Sequence, residues 1–274
     1  MLKYVHLASE RNDCKIMERY TEVNARTVDR WVDGGWVWGT PITAGDCKSV
    51  RRGDWDVLLT PRTPVPKEWF PAFPGTRILG LASGGGQQMP VFAMLGAQCT
   101  VMDYSDRQLE NERMVAKREG FDIDIVKGDM TLDFPFEDGA FDLIFHPVSN
   151  IYVEDVHHVW RECFRVLRRG GVLLSGLDNG LAYLFDVDKV GEPLVVNNTL
   201  PFNPLKNPEQ MEKSLKDDGG IQFSHTFDDQ IGGQLKAGFI IVDAYEDYDH
   251  YPDDNLATVA AGIPKYWVTK ALKM

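Results

Sequence analysis

No apolar run in this sequence approaches the roughly eighteen residues that cross a bilayer, and its opening, MLKYVHLASERND, lacks the basic-then-apolar order of a signal peptide. No membrane partner is expected, and the cytoplasm is the expected location. Cysteine is scarce: Cys14, Cys47, Cys99 and Cys163 stand far apart and match no paired zinc spacing, so reduced thiols and no metal are expected. Positive charge is in deficit, with 29 Lys and Arg against 41 Asp and Glu and a net charge of −12. A chain so acidic has no overall attraction for a polyphosphate backbone, which makes nucleic acid an unexpected partner. Internal repeats and low-complexity tracts are absent. The three glycines at 84–86 are not followed by the Lys-Ser/Thr pair of a triphosphate-binding loop.

What remains is an ordinary soluble composition, 43% hydrophobic and 26% charged, in a chain of 274 residues that can bury a full core. From Arg77 onward, short apolar runs alternate with helical patterns, the signature of βαβ units and a parallel sheet. RILGLA (77–82) reads as a buried strand, and Pro90 suits the first turn of a short helix that Gly96 ends. CTVMD (99–103) is the next strand, followed by a capping box, Ser105 to Gln108, that opens a helix running to Gly120. IDIVKGD (123–129) and FDLIFH (141–146) are further strands.

Val153, Val156, Trp160, Cys163 and Leu167 recur at helical spacing, after which Gly170 and Gly171 are expected to stop the helix before a strand at 171–176. A helix at about 227–237 and strands at 239–245 and 266–272 complete the order. The last two strands have no convincing crossover helix between them, which predicts an antiparallel closing pair. Residues 1–76 and 181–224 fall outside the alternation, and both are candidates for a cap over the ligand edge of the sheet. The first segment contains Trp31, Trp36, Trp38, Trp55 and Trp69, read first as packing residues.

In an open α/β sheet, ligands sit beyond the carboxyl ends of the strands. The residues there are Ala82, Ser83, Gly84, Gly85 and Gly86 after the first strand, Asp103 after the second, Asp129 after the third, and His146 with Pro147 after the fourth. Glycines let backbone approach a ligand closely, and Asp103 is placed to accept from two ribose hydroxyls. Asp129, in KGDM, is placed to accept from an exocyclic adenine amine, which a dinucleotide fingerprint does not require.

ILGLASGGG, the acid in VMDYS, KGDM, FDLIFH and VLRRGGVLL, in this order, resemble the successive motifs of class I S-adenosylmethionine-dependent methyltransferases, in particular the small-molecule type labelled type 11. The resemblance covers residues 77 to 180 by motif and the last two strands by pattern. It implies an α/β fold with a Rossmann-like, seven-stranded, mostly parallel sheet whose last strand is antiparallel, with helices on both faces. The core would be 77–180 and 225–274, with 1–76 an N-terminal extension and 181–224 a lid insertion. It implies S-adenosylmethionine as cofactor and a small-molecule acceptor. Ser83, Gly84 and Gly86 would lie against its methionine part, Asp103 would bind its ribose and Asp129 with Met130 would frame its adenine, with Ala82, Gly85, Gln87, Tyr104 and His146 as further cofactor-binding residues. Two positions depart from the family: Gly80 stands where Asp or Glu is usual, and Ala82 where the first loop glycine is usual.

FHPVSN (145–150) is neither the Asn-Pro-Pro-aromatic motif of planar-amide and adenine methylation nor the Pro-Cys of cytosine methylation. His146 is the candidate catalytic base for a hydroxyl, thiol or amine, the alternative being a packing or cofactor contact. Asn150, Tyr152 and Tyr183 are candidates to orient the acceptor. Glu154 with His158 reads as an exposed pair, His225 as lying at a helix start, and the acidic stretch 245–255 as a solvated loop. Two other readings stay open: a nicotinamide-dependent oxidoreductase using the same loop and Asp103, and a catalytically inactive scaffold that binds cofactor.

Overall fold

Successive residues of a strand leave toward opposite faces of its sheet, and when both faces are covered the strand becomes apolar throughout. The central strands here follow that rule. In the computed structural model, which describes residues 19–185, 192–248 and 262–274, the strands are β1 (Arg77–Leu81), β2 (Gln98–Asp103), β3 (Asp124–Lys127), β4 (Phe141–His146), β5 (Leu167–Asp178), β6 (Phe239–Asp247) and β7 (Tyr266–Lys273). Leu79, Ile144 and Leu173 pack on one side with Trp160 and Cys163. Ile78, Leu143 and Leu174 pack on the other with Phe92 and Trp69.

The seven strands are ordered β3-β2-β1-β4-β5-β7-β6. β1 pairs in parallel with both β2 and β4, so the chain reverses its direction of travel across the sheet between β1 and β4. β7 runs antiparallel to β5 and to β6, the closing arrangement expected when no crossover helix separates the last two strands.

The helices are α1 (Tyr20–Asp33), α2 (Ala44–Arg51), α3 (Met89–Met94), α4 (Asp106–Glu119), α5 (Val156–Val166), α6 (Pro208–Lys216) and α7 (Gly233–Ala237). Ser105 caps α4 by accepting from the Gln108 amide at 3.1 Å. The reciprocal half of the expected box is missing, because the Ser105 backbone amide donates to Asp103 Oδ1 instead of to the Gln108 side chain. α5 is shorter than its periodicity suggests: Asp155 caps it, and Leu167 already begins β5. Gly170 and Gly171 therefore do not end the helix; they lie within β5, beside an irregularity in its pairing with β4. No helix of the described residues is long and apolar enough to cross a membrane.

Other local expectations are corrected. Glu154 accepts from Asn203 and His158 lies 3.8 Å from Asp133, so the two do not pair. Asp247 is not solvated: it is fully buried and receives the Thr60 and Thr63 hydroxyls and the Arg62 and Thr63 amides. It thereby ties the end of β6 to the turn at 60–63. The stretch after Tyr248, like Cys14, lies outside the described residues, whereas Cys47, Cys99 and Cys163 are buried free thiols.

The segment 57–65 crosses β5 at Gly176, where a β-carbon would stand 2.1 Å from the Leu59 carbonyl oxygen. That carbonyl accepts from the Val148 amide at 3.0 Å, so it cannot simply retreat. Gly176→Ala is therefore expected to destabilise by about 1–3 kcal/mol through overpacking, seen as a fall of several degrees in thermal midpoint. An unchanged midpoint would disprove the close approach.

Candidate functional site

The site forms beyond the ends of β1, β2 and β4, where the reversal of strand order opens a crevice. Ala82, the first residue past β1, has φ 47. A side chain in that left-handed region costs about 1–2 kcal/mol, which explains why the related motifs place glycine there. Its amide is nonetheless tied to the Met102 carbonyl at 2.8 Å, keeping the loop attached to β2.

The glycines serve a different neighbour from the one expected. Gly84 donates to Asp103 Oδ2 at 3.1 Å, Gly85 to the Gln108 carbonyl at 2.9 Å, and Gly86 to Glu112 Oε2 at 2.5 Å. A β-carbon at Gly84 would lie 2.8 Å from Gln108 Cβ, and one at Gly86 2.8 Å from Val115 Cγ2. The absence of side chains thus lets α4 press against the loop, and the three amides are spent inside the protein.

A cavity of about 410 Å³ opens over this loop, reached by Ala82, Ser83, Gly84, Gln87 and Asp103. A second, of about 80 Å³, shares Val28, Ala82, Asp103 and Tyr152 with it and is walled by Tyr104, Asp129 and Met130. Asp103 stands at the junction. Its Oδ1 accepts from the Ser105 amide at 3.0 Å, and burial pushes its carboxyl upward while these amides pull it down.

Two buried polar atoms beside the cavities, Ser83 Oγ and Gln108 Oε1, have no hydrogen-bond partner, and a third, Asp129 Oδ2, is met by an ion pair alone. Asp129 Oδ1 is occupied by the Thr131 amide and hydroxyl, and Oδ2 has only the Arg19 guanidinium, 3.2 Å away. Unpaired buried acceptors are costly. Their grouping here fits a ligand bearing hydroxyl and amine donors.

Of the remaining residues singled out from sequence, Tyr152 lines both cavities, and burial raises its phenol. Gly85, Gly86, His146, Asn150 and Tyr183 line neither cavity. Tyr183 acts from behind, donating to Gln222 Oε1 at 2.6 Å, and Gln222 is a wall residue. Gln87 lines the larger cavity but donates its amide to the Val37 and Thr40 carbonyls, fastening that turn.

His146 is fully buried. Its Nδ1 lies 3.0 Å from the Leu81 carbonyl and its Nε2 2.8 Å from the Asn150 side chain. Desolvation lowers its pKa, so the ring is neutral. With Nδ1–H donated to Leu81, Nε2 must accept; turning the Asn150 amide over supplies the donor, and turning Gln230 over gives its otherwise unpartnered nitrogen to Asn150. Both ring nitrogens are then engaged by protein groups, Nδ1 also lying 3.3 Å from Ser149 Oγ at the chamber wall, and the ring braces the end of β1.

Sequence reasoning missed much of the chamber wall. Trp31, Trp36 and Trp38 line it, whereas Trp55 and Trp69 are packing residues. Trp31 is 5.3 Å from Trp36 and 6.5 Å from Tyr152 between ring centroids, forming a wall of inclined rings. Leu58, Leu59, Gln108, Val148 and Tyr266 complete the wall. The aromatic density of residues 31–38 was the available signal, but nothing local separates a tryptophan facing a cavity from one facing a core.

A family model described as a methyltransferase domain matches residues 79–175, from β1 into β5. The uncharacterized methyltransferase YbaJ of Bacillus subtilis (strain 168) is 41% identical over 227 residues, 82% of this chain and 89% of that one. The chain belongs to the class I S-adenosylmethionine-dependent methyltransferases. Among other methyltransferases, the ubiquinone biosynthesis O-methyltransferase of Maricaulis maris (strain MCS10) is 26% identical over 151 residues, 54% of this chain and 59% of that one. An S-adenosylmethionine-dependent methyltransferase from Mesorhizobium loti shares the fold with a TM-score of 0.55 at 19% identity, covering 75% of this chain and 94% of that one.

Within this methyltransferase, His146→Ala removes the partner of the Leu81 carbonyl and one of the two partners of the Asn150 side chain. It is expected to lower unfolding free energy by about 2–4 kcal/mol, since each buried orphan costs roughly 1–3 kcal/mol. Urea denaturation checks this. An unchanged midpoint combined with lost turnover would restore the role of base.

Proposed function

We propose that this methyltransferase acts on an uncharged, largely apolar small molecule held in the tryptophan-lined chamber. The observation that carries the reading is that the chamber shares Val28, Ala82, Asp103 and Tyr152 with a second cavity, beside which Ser83 and Gln108 hold polar atoms without a hydrogen-bond partner and Asp129 has one oxygen met by an ion pair alone. Ser83 and Gly84 would lie against the methionine part of S-adenosylmethionine, Asp103 would accept from the ribose hydroxyls, and Asp129 would accept from the adenine amine between Tyr104 and Met130. When bound, this cofactor supplies a methyl group on a sulfonium that leaves readily, so the protein's main task is alignment.

Among the described residues, the larger chamber has no lysine, arginine or histidine in its lining. A carboxylate or phosphate on the acceptor would lose its water there without gaining a cation, which supports an uncharged acceptor. The net charge of −12 supports a small molecule over nucleic acid. The buried free thiols support a reducing, cytoplasmic setting.

Residues 1–76 serve in this reading as a cap and 181–224 as a lid on a core of 77–180 and 225–274. In support, α1 contributes Val28 and Trp31 to the chamber and the insertion contributes Gln222. The two segments are joined by paired bonds between the Asn24 side chain and the Ile221 backbone, at 2.9 and 2.7 Å.

Calorimetric titration with S-adenosylhomocysteine tests the cofactor site. Micromolar one-to-one binding is expected, and Asp103→Ala should weaken it at least tenfold, because each hydrogen bond to a charged group contributes about 1.5–3 kcal/mol. Near-native affinity in the folded variant would refute the assignment of Asp103. Turnover with an uncharged acceptor from a broad panel would exclude an inactive scaffold.

A further inference from the structure

The two cavities meet at Val28, Ala82, Asp103 and Tyr152. Val28 and Ala82 are apolar, and the Asp103 oxygens already hold the Gly84 and Ser105 amides. Among the described residues, Tyr152 therefore carries the one hydroxyl at this junction, and that hydroxyl has no hydrogen-bond partner in the protein.

The isolation of this hydroxyl does not come from a loose segment. Tyr152 ends the short helical turn Asn150–Tyr152, which is held from several sides. The Tyr152 amide donates to the Ser149 carbonyl at 3.0 Å, and the Ile151 carbonyl accepts from the Phe223 amide at 2.7 Å. The Asn150 side chain is fixed between His146 and Gln230, and the Asn150 carbonyl lies 3.1 Å from His225 Nε2. The Tyr152 ring leans on Trp31, which is itself fixed by donating its indole N–H to the Asp218 carbonyl at 3.0 Å. A phenol held this firmly with nothing to bond is a preorganised donor. Burial pushes the phenol up, which keeps its proton in place at neutral pH.

The neighbouring rings narrow the partner. Trp31 is inclined at 57° to Trp36 and at 52° to Tyr152, so the wall offers both ring faces and ring edges. An aromatic guest gains from such edge-to-face and offset contacts beyond the apolar area it buries, whereas a saturated guest gains the area alone.

We propose that the acceptor is an uncharged aromatic molecule bearing an oxygen substituent, its ring against Trp31 and Trp36 and that oxygen receiving the Tyr152 hydroxyl where the two cavities meet. This rests on the cofactor reading above, which puts the methionine part in the larger cavity and the adenine part in the smaller one; a guest anchored at their junction stands beside the middle of the cofactor. Tyr152 orients the acceptor and takes no proton from it.

The test uses naphthol as the probe, with naphthalene lacking the oxygen and decalol lacking the aromatic rings, each measured by equilibrium dialysis with S-adenosylhomocysteine present. Wild type should bind naphthol at least about threefold more tightly than decalol. Tyr152→Phe, which keeps the ring, should weaken naphthol at least about fivefold while leaving naphthalene binding, S-adenosylhomocysteine binding and the thermal midpoint unchanged. An unchanged naphthol affinity, or an equal loss for naphthol and naphthalene, would overturn the role of the hydroxyl. A loss of S-adenosylhomocysteine affinity in the variant would also overturn it, by assigning the hydroxyl to the cofactor. Naphthol bound no more tightly than decalol, or not bound at all by folded wild type, would overturn the aromatic class. If Tyr152→Phe does not fold, equal affinities of wild type for naphthol and naphthalene overturn the proposal instead. Failure of S-adenosylhomocysteine to bind, with naphthol still weakened by Tyr152→Phe, would refute the cofactor reading while supporting the aromatic subsite.

Discussion

The close seating of α4 against residues 84–86 is the constraint on which the site depends. A helix can approach a loop this nearly only where the loop has no β-carbons, and here the space a side chain would need at Gly84 and Gly86 is already filled by Gln108 and Val115. The same approach lets the helix take the loop's amides, Gly85 through the Gln108 carbonyl and Gly86 through Glu112. With Gly84 bound to Asp103, the loop is immobilised by its surroundings, and Ala82 is held in a backbone conformation that alanine disfavours. The loop contributes shape more than free donors, and the atoms beside the cavities that lack a hydrogen-bond partner, Ser83 Oγ and Gln108 Oε1 among them, belong to side chains.

That arrangement moves the recognition chemistry outward. The chamber is assembled from pieces far apart in the chain: α1 and the turn after it, the segment that crosses β5 at Gly176, the loop after β4, and Gln222 from the insertion. Three polar anchors hold these pieces, exposed at Gln87 and buried or partly buried at the other two. Gln87 fastens the turn at 37–40, Asp247 gathers the turn at 60–63, and Asn24 joins α1 to Ile221. Small apolar contacts among Tyr20, Met211 and Phe223 finish the last of these joints. Such satisfied buried networks specify a single arrangement where a purely apolar contact would tolerate sliding.

His146 belongs to the same logic. A histidine at the end of a central strand invites a catalytic reading, but its ring is consumed in bracing Leu81 on one side and Asn150 on the other. The chain of amides from Asn150 through Gln230 to Gln234 and Thr269 then reaches β7. The rim of the crevice is thus tied across the sheet, which keeps the carboxyl ends of β1 and β4 at fixed separation.

The succession of strands along the chain and the parallel core were legible because apolar runs alternating with helical periodicity leave few ways to cover both faces of a sheet, and the acids after β2 and β3 were legible because they occupy the ends of recognisable strands. Ser83, Asp103 and Asp129 are therefore sequence-level findings. The early end of α5 at Val166 was not legible, since helical spacing continues to Leu167 while the backbone has already turned into β5. Nor was the division of the five tryptophans between wall and core, the diversion of Gln87 and His146 to internal contacts, or the placing of Glu112 behind Gly86. Each of these depends on which distant segment occupies the space beside a side chain. By itself the sequence determined the strands, their succession along the chain and the acids at their ends, because periodicity and strand ends are local properties. Only the tertiary structure decided which polar groups remain free for a ligand, because a hydrogen bond is available only when no other part of the chain has taken it.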